Sequence, residues 1–311
     1  MEPQDISNKR ILISPLNWGM GHVSRCIGLI SELQKRNTIF LACDEEQKRI
    51  FKCYFEEIHF ITHAGYPFKF GKKGSFSFDL LRNARKLSKR RKQEPNEVGS
   101  IVNEFNIDIV IADHRYGFRS GTVYSVFLTH QVNLPVLWYE FFIQLLHKKL
   151  IRKFDEVWIM DFADNRLAGK LSRNDSGFNA RYIGPYSRFQ LYEIPKEKLL
   201  DCVLIASGPT AYAQQLIDRE LLQFKDKNIA VIADSKIHVP IDINKVTDDW
   251  KHQDALILGA NELISRSGYS TIMDLYYLQI SAYLVPTPGQ REQVYLGELH
   301  NNGRRMNCAE N

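Results

Sequence analysis

Apolar residues follow two rhythms along this chain. Short, nearly continuous apolar runs recur at Arg10 to Ser14, Thr38 to Ala42, Ile58 to Ile61, Ile107 to Ala112, Val136 to Tyr139, Glu156 to Met160, Cys202 to Ala206 and Ile229 to Ala233. Between them, apolar positions return at helical spacing: Val23, Cys26, Ile27, Ile30 and Leu33, then Val98, Ile101, Val102 and Phe105, then the stretches Phe141 to Phe154 and Thr210 to Phe224. A strand buried on both faces needs an unbroken apolar run, whereas a helix needs only one apolar stripe. Their alternation predicts parallel sheets covered by helices on both faces. The pattern restarts after a polar stretch that begins at Gly184-Pro185 and ends at Lys198. The predicted organisation is an N-terminal domain over 1–184, a linker over 185–198 and a C-terminal domain over 199–311. The fold class is α/β: two doubly wound, Rossmann-like domains facing a cleft. In such sheets ligands bind beyond the carboxyl ends of the strands.

Composition narrows the class. At 311 residues and 44% hydrophobic the chain is long enough for two packed cores. Its five cysteines (Cys26, Cys43, Cys53, Cys202 and Cys308) are scattered, and none forms a C-x-x-C pair. That argues for a reducing compartment and against a structural zinc site. The polar, acidic N-terminus does not resemble a signal peptide, and no apolar run approaches the roughly 20 residues that span a bilayer. A cytoplasmic protein, peripheral on the inner face of the membrane, is expected. The net charge of +5 is uneven: Lys69 to Lys92 holds ten Lys/Arg against one acid, Asp79. Phe68, Phe70, Phe76 and Phe78 interleave with it. Aromatic anchors among basic residues suit an anionic membrane surface better than nucleic acid, for which no recognised module is present. A solvated helix explains the run equally simply.

Three loops carry candidate chemistry. Asn17-Trp18-Gly19-Met20-Gly21-His22 joins the first strand to its helix. Its glycines let backbone N–H groups approach a ligand, and the helix start favours an anion. Ser24 stands where a dinucleotide fingerprint would have its third glycine. His22 is placed to take a proton from a hydroxyl, or simply to cap the helix. The second loop runs from Arg266-Ser267-Gly268 through Ser270 and Thr271 to Asp274. Its amides and hydroxyls suit a diphosphate, with Asp274 facing a ribose. Thr271-x-x-Asp274 also fits a capping box that needs no ligand. Pro286 to Gln293 delivers Gln290 and Gln293 at a helix head, and Ser207-Gly208-Pro209-Thr210 forms a further strand-to-helix turn. Asp113, Arg115, Tyr116 and His130 follow buried strands and are candidates for assisting His22 (Asp113) or touching an acceptor (the other three).

Together these motifs resemble the MurG-type glycosyltransferases of the GT-B fold, a family that includes plant galactolipid synthases. Asn17 to His22 resembles that family's glycine-rich loop ending in His. Arg266-x-Gly268-x-x-Thr271-x-x-x-Leu275 is similar to its donor-site helix start, with Asp274 where the family has a ribose-binding Glu. Pro286 to Gln293 resembles its Pro-rich loop. The resemblance implies an inverting transfer of N-acetylglucosamine or another hexose from a UDP-sugar to a lipid-linked or glycan acceptor, with no cofactor and no catalytic metal. It implies His22 as a catalytic residue and Arg266, Gly268, Thr271, Asp274, Gln290 and Gln293 as donor contacts; the reading of the loops themselves adds Asp113 beside His22 and Ser207, Gly208, Ser267 and Ser270 on the donor. Gly19 and Gly21 of the glycine-rich loop, with Arg115, Tyr116 and His130 by their place after buried strands, are the expected acceptor contacts. Two rivals share the fold: a sugar-nucleotide 2-epimerase, and a non-catalytic membrane-docking subunit. A GT-B chain usually continues past the helix that carries Gln293, so the second domain is expected to be C-terminally short.

Overall fold

The computed structural model describes residues 1–67, 76–224, 227–240 and 243–301, and the backbone alone for 76–81 and 224. The chain divides into two compact units, Met1–Arg188 and Phe189–Asn311. In the first, β1 (Arg10–Pro15), α1 (Gly21–Leu33), β2 (Thr38–Cys43), α2 (Glu45–Lys52), β3 (His59–Thr62), α3 (Phe76–Phe105), β4 (Ile109–Asp113), β5 (Tyr124–Thr129), α4 (Phe141–Ile151), β6 (Glu156–Ile159) and β7 (Ala180–Tyr182) follow one another. Its seven strands lie in the order β3-β2-β1-β4-β5-β6-β7, and every pairing is parallel. The second unit adds β8 (Leu200–Ala206), α5 (Thr210–Glu220), β9 (Ile229–Ala233), β10 (Asn244–Val246), α6 (Trp250–Leu258), β11 (Ala260–Ser265), α7 (Tyr269–Leu278), β12 (Ser281–Leu284) and α8 (Arg291–Asn301). Its sheet, also parallel, runs β10-β9-β8-β11-β12. The expected class, two doubly wound α/β sheets, is the observed one.

The core explains why these runs form strands. Ile11, Leu12 and Ile13 on β1 and Ile109, Val110 and Ile111 on β4 are all buried, on alternate faces of one sheet. Each such aliphatic side chain contributes roughly 1.5–3 kcal/mol when fully buried. One face is sealed by Val98, Ile101 and Val102 of α3 together with Ile151 of α4 and Phe154 beyond it. α3 and α4 therefore cover the same face, as right-handed crossovers in one direction require.

Two local expectations change. Val136 to Tyr139 is not a strand. The place beside β4 belongs to Tyr124–Thr129, whose apolar run is interrupted by Ser125; that hydroxyl is buried and bonded to the 120–123 turn. Residues 138–140 instead form a 3-10 turn, closed where the Leu137 N–H donates to the Glu140 carboxylate at 2.9 Å. The helix expected around Val98 to Phe105 is much longer, and it contains Pro95. Proline removes one helical N–H and so leaves the Arg91 carbonyl without its usual donor. Gly117 packs there: a Cβ at that position would lie 2.4 Å from the Arg91 oxygen, so a side chain does not fit.

Candidate functional site

Both sheets place their loops by the same topological rule. In the first, the chain moves outward in opposite directions from the neighbouring pair β1 and β4. In the second, it does so from β8 and β11. Such switch points open a crevice at the carboxyl ends of the strands, because the two following connections leave toward opposite faces. The loop after β1 leads into His22, and β4 ends in Asp113. The loops after β8 and β11 carry Ser207-Gly208 and Arg266-Ser267-Gly268.

At the first switch point the register sets Pro15 beside Asp113, the last residue of β4. Helix α1 begins at Gly21, so His22 sits in its first turn and meets Asp113: Nδ1 lies 2.8 Å from Oδ2. The His22 side chain keeps 16% of its surface exposed while Asp113 is wholly buried. A buried carboxylate needs a cation, and Arg25, one helical turn after His22, supplies it. Its Nε donates to Asp113 Oδ2 at 3.0 Å and its Nη2 to Oδ1. Nη1 lies 3.0 Å from Nδ1 of His130, and Nη2 lies 2.6 Å from Nδ1 of His22. His114 completes the group, its ring 5.5 Å from that of His22 and 5.6 Å from that of His130.

These contacts set the protonation states. Burial disfavours charge on His22 and the Arg25 guanidinium adds to that, outweighing Asp113, so the imidazole is held below its ordinary pKa. Burial alone would raise the Asp113 carboxyl. Arg25 and His22 overcome it, and Asp113 stays ionised far below the usual carboxylate range. His114 is likewise pushed well down, by burial first and Arg25 next. The result is a neutral imidazole against a fixed carboxylate. In the tautomer whose Nδ1–H donates to Asp113, Nε2 presents a free lone pair, the state a general base requires. In the other tautomer Nδ1 accepts from Arg25.

Two expected acceptor contacts lie elsewhere in the structure. Arg115 is buried and its guanidinium is occupied: Nε and Nη2 pair with Glu94 on α3, Nη1 donates to Ser14 at 2.9 Å, and Nη2 donates to the Ala64 carbonyl at 2.9 Å. It ties the loops after β3 and β4 to α3 instead of facing a ligand. Tyr116 stacks on Phe127 and its hydroxyl donates to Nδ1 of His147 at 2.7 Å, while His147 Nε2 donates to the Gln131 carbonyl at 2.9 Å. That chain fastens α4 to the end of β5. Gly19 has a left-handed φ of +93°, a Cβ there would meet nothing within 4 Å, and Gly21 opens α1. His130 is buried against Arg25.

The second switch point is built mostly of backbone. Gly208 has a φ of +95°, which side-chain-bearing residues rarely adopt. Pro209 is the N-cap of α5 and Gly268 that of α7, and neither helix start receives a side-chain cap. The Thr271-x-x-Asp274 capping box does not form, because the helix starts at Tyr269 and both residues lie within it. A Cβ on Gly268 would meet nothing within 4 Å. Ser270 and Thr271 are half-buried in the first turn, and Asp274 is buried one turn further along. Three expected donor contacts turn inward. Arg266 reaches the carbonyls of Val285, Pro286 and Tyr212 and so clamps the loop after β12 to the first turn of α5. Ser267 donates to the Gln293 carbonyl at 2.6 Å. Gln293 accepts from the Thr287 N–H at 2.8 Å and donates to Gln290 at 2.6 Å, which shapes the Pro-rich loop from within. Ser207 is exposed at the mouth of its turn.

Sequence reasoning did not find Arg25 or His114. Arg25 had a signal, since an arginine at i+3 from His22 shares its helix face. His114 was visible only as the neighbour of Asp113. Of the basic stretch Lys69 to Lys92, residues 69–75 lie outside the described residues, with Phe68 and Phe70, as do the side chains of Phe76 and Phe78. Arg82, Arg85, Lys86 and Lys89 are exposed on α3. Among the described residues no helix is long and apolar enough to cross a membrane.

The fold is that of the GT-B glycosyltransferases. The glycotransferase of kitacinnamycin superposes with a TM-score of 0.63 at 11% identity, covering 98% of this chain and 87% of that one. Phytolacca americana UGT2, in a complex with UDP-2-fluoro-glucose and pterostilbene, gives 0.58 at 13% identity over 95% of this chain and 84% of its own. Acinetobacter baumannii MurG gives 0.50 at 10% identity over 95% and 84%. Likeness therefore extends across the GT-B fold and is not particular to MurG. No family model matches the sequence, and no curated protein does.

Proposed function

We propose that this protein is an inverting glycosyltransferase, moving N-acetylglucosamine or another hexose from a UDP-sugar to a hydroxyl of a lipid-linked or glycan acceptor. The observation that carries the reading is the His22–Asp113 pair at a switch point of a GT-B sheet. His22 Nε2 takes the proton as the acceptor oxygen attacks the anomeric carbon. Asp113 holds the ring through Nδ1–H and offsets the charge that the imidazolium gains. The bond to the diphosphate breaks as the new C–O bond forms on the opposite face, so a single displacement inverts the centre. In the second unit the uncapped starts of α5 and α7 suit the departing diphosphate: their amides and helix dipoles favour charge that grows there. The reading calls for no resident cofactor.

A donor screen tests it. UDP, GDP and dTDP sugars are added singly, and the melting temperature is followed, since a ligand bound only by the folded state raises it. One donor class should stabilise wild type and His22→Ala alike, while only wild type transfers sugar, giving a product of inverted anomeric configuration by NMR. A protein that converts a UDP-sugar without any acceptor is an epimerase. One that no nucleotide stabilises is not a transferase.

A further inference from the structure

His114 belongs to the N-terminal switch point, yet the proposed reaction leaves it without a task. It follows Asp113 directly, and its φ is +55°, a left-handed backbone that is uncommon outside glycine. Strain of that kind persists only where the surrounding structure enforces it, and it gathers at functional sites. The consequence here is placement. The turn brings the ring to 5.5 Å from that of His22, edge to face. It also leaves His114 half-buried, whereas Asp113 before it and Arg115 after it are buried.

Hydrogen bonding fixes the tautomer of this ring. Nε2 lies 2.7 Å from Oγ1 of Thr129, a wholly buried hydroxyl at the end of β5. That oxygen already accepts from the Gln131 N–H at 2.8 Å. Its own hydrogen has a single acceptor among the described residues, the lone pair of His114 Nε2. Leaving a buried hydroxyl hydrogen unpaired is costly, so Thr129 donates to Nε2 and the proton of the neutral ring sits on Nδ1. The ring is neutral because burial and then the Arg25 guanidinium disfavour charge on it. Nδ1–H itself has no partner among the described residues. The two nitrogens of an imidazole point apart, and Thr129 lies on the β5 side of β4. Nδ1 therefore turns toward the β1 side, where His22 stands.

We infer that His114 Nδ1–H binds the acceptor substrate, donating to an oxygen on the carbon next to the one that bears the attacking hydroxyl. The acceptor is then a molecule with vicinal oxygens, as in a sugar diol or a glycerol backbone. The two rings divide the work: His22 Nε2 takes the proton from one oxygen, and His114 holds the other. Rings 5.5 Å apart are too close to hold separate molecules, but neighbouring oxygens of one molecule bridge them. A neutral N–H suits an uncharged oxygen and offers no ion pair to a phosphate, so His114 selects among alcohols. The inference rests on the proposed transfer and names the acceptor that serves it, while the tautomer and the contact can be read without turnover.

The test uses the full chain with isotope-labelled histidine, followed by nitrogen NMR. The probes are n-propanol, propylene glycol and methyl β-D-glucopyranoside. The His114 signals, assigned with His114→Gly, should show a protonated Nδ1 and a bare Nε2. Propylene glycol or the glucoside should shift Nδ1, and n-propanol should not; a response to the glycol alone assigns a glycerol backbone, and to the glucoside alone a sugar. With the sugar donor that the melting screen selects, the responding probe should be glycosylated about tenfold faster than n-propanol. His114→Gly keeps the left-handed backbone and removes the N–H, so it should raise the KM of that probe about tenfold, leave kcat within about threefold and abolish the preference. His114→Asn, which tolerates the same backbone and carries an amide N–H, should recover part of the loss. A proton on Nε2 overturns the inference, as does a ring that neither vicinal probe shifts, or a His114→Gly enzyme with unchanged KM and preference. If the ring responds as expected but no probe is glycosylated, the contact stands and the transfer reading fails.

Discussion

The two switch points share a topology and differ in material. The one in the N-terminal unit is made of side chains: His22, Arg25, Asp113, His114 and His130 lie in mutual contact, with Asp113 wholly buried. The one in the C-terminal unit is made of backbone, two uncapped helix starts with Gly208 and Gly268, while Arg266, Ser267 and Gln293 hold the loops from behind. Among the other helix starts, α2 is capped by Asp44 and α6 by Asp249, whereas α1 and α4 lack a side-chain cap. A proton-transfer site must tune pKa values, which takes charges and burial. A diphosphate cradle needs open N–H groups, and a side-chain cap would occupy them.

That contrast predicts different consequences for damage in each region. The largest effect should come from His22→Ala, lowering turnover by about 10²–10⁴-fold with nucleotide stabilisation intact. Turnover within threefold of wild type would remove His22 as the base. Next, Arg115→Met strands the buried Glu94 carboxylate and should cost roughly 3–5 kcal/mol of stability in denaturant unfolding. Arg115→Met/Glu94→Gln should recover part of the loss. If Arg115→Met raises the acceptor KM and leaves stability alone, the interior assignment of Arg115 is wrong.

Acid should weaken the N-terminal unit through His147. Burial holds this imidazole down to about 4, against about 6.5 in an unfolded chain. Between those values the unfolded state binds more protons, so stability is full above about pH 6.5 and falls as pH drops toward 4. The linkage is worth about 3 kcal/mol at most. His147→Gln should flatten that slope, and an unchanged pH dependence of the melting temperature would show that another group controls it.

Gly268→Leu should weaken nucleotide binding about tenfold while leaving the melting temperature of the free protein unchanged. The backbone there (φ −76°, ψ 146°) admits any residue, and the added side chain would occupy space that a diphosphate needs. Unaltered affinity would move the cradle elsewhere. The smallest effect on activity concerns Arg25, whose removal also takes the cation from the buried Asp113 carboxylate and so costs stability as well. Its guanidinium helps keep His22 neutral, so Arg25→Gln should shift the acidic limb of the kcat/KM profile to higher pH, read also by NMR titration of the His22 ring. A limb that stays put or moves down contradicts that role.

Much of this was legible beforehand because burial on both faces leaves an unmistakable apolar run. β1, β2, β4, β6, β8 and β9 all announced themselves this way. β5 did not, since Ser125 breaks its run and is satisfied only by a turn that the fold supplies. Trp138 and its neighbours imitated a strand because an exposed aromatic surface and a buried one are written with the same residues.

The amino-acid sequence by itself determined the class of fold, the positions of the strand-to-helix loops and the nomination of His22 and Asp113. These are local properties: apolar periodicity, glycines at turns, and polar residues just after a strand. The tertiary structure alone decided which polar residues meet. It set Asp113 against His22 and Arg25 across paired strands, and it buried Arg115 on Glu94. It also turned Arg266 and Gln293 inward and left the aromatic face of α4 in water. A side chain's partner depends on residues far away in the chain, and only the register of the sheet brings them within reach.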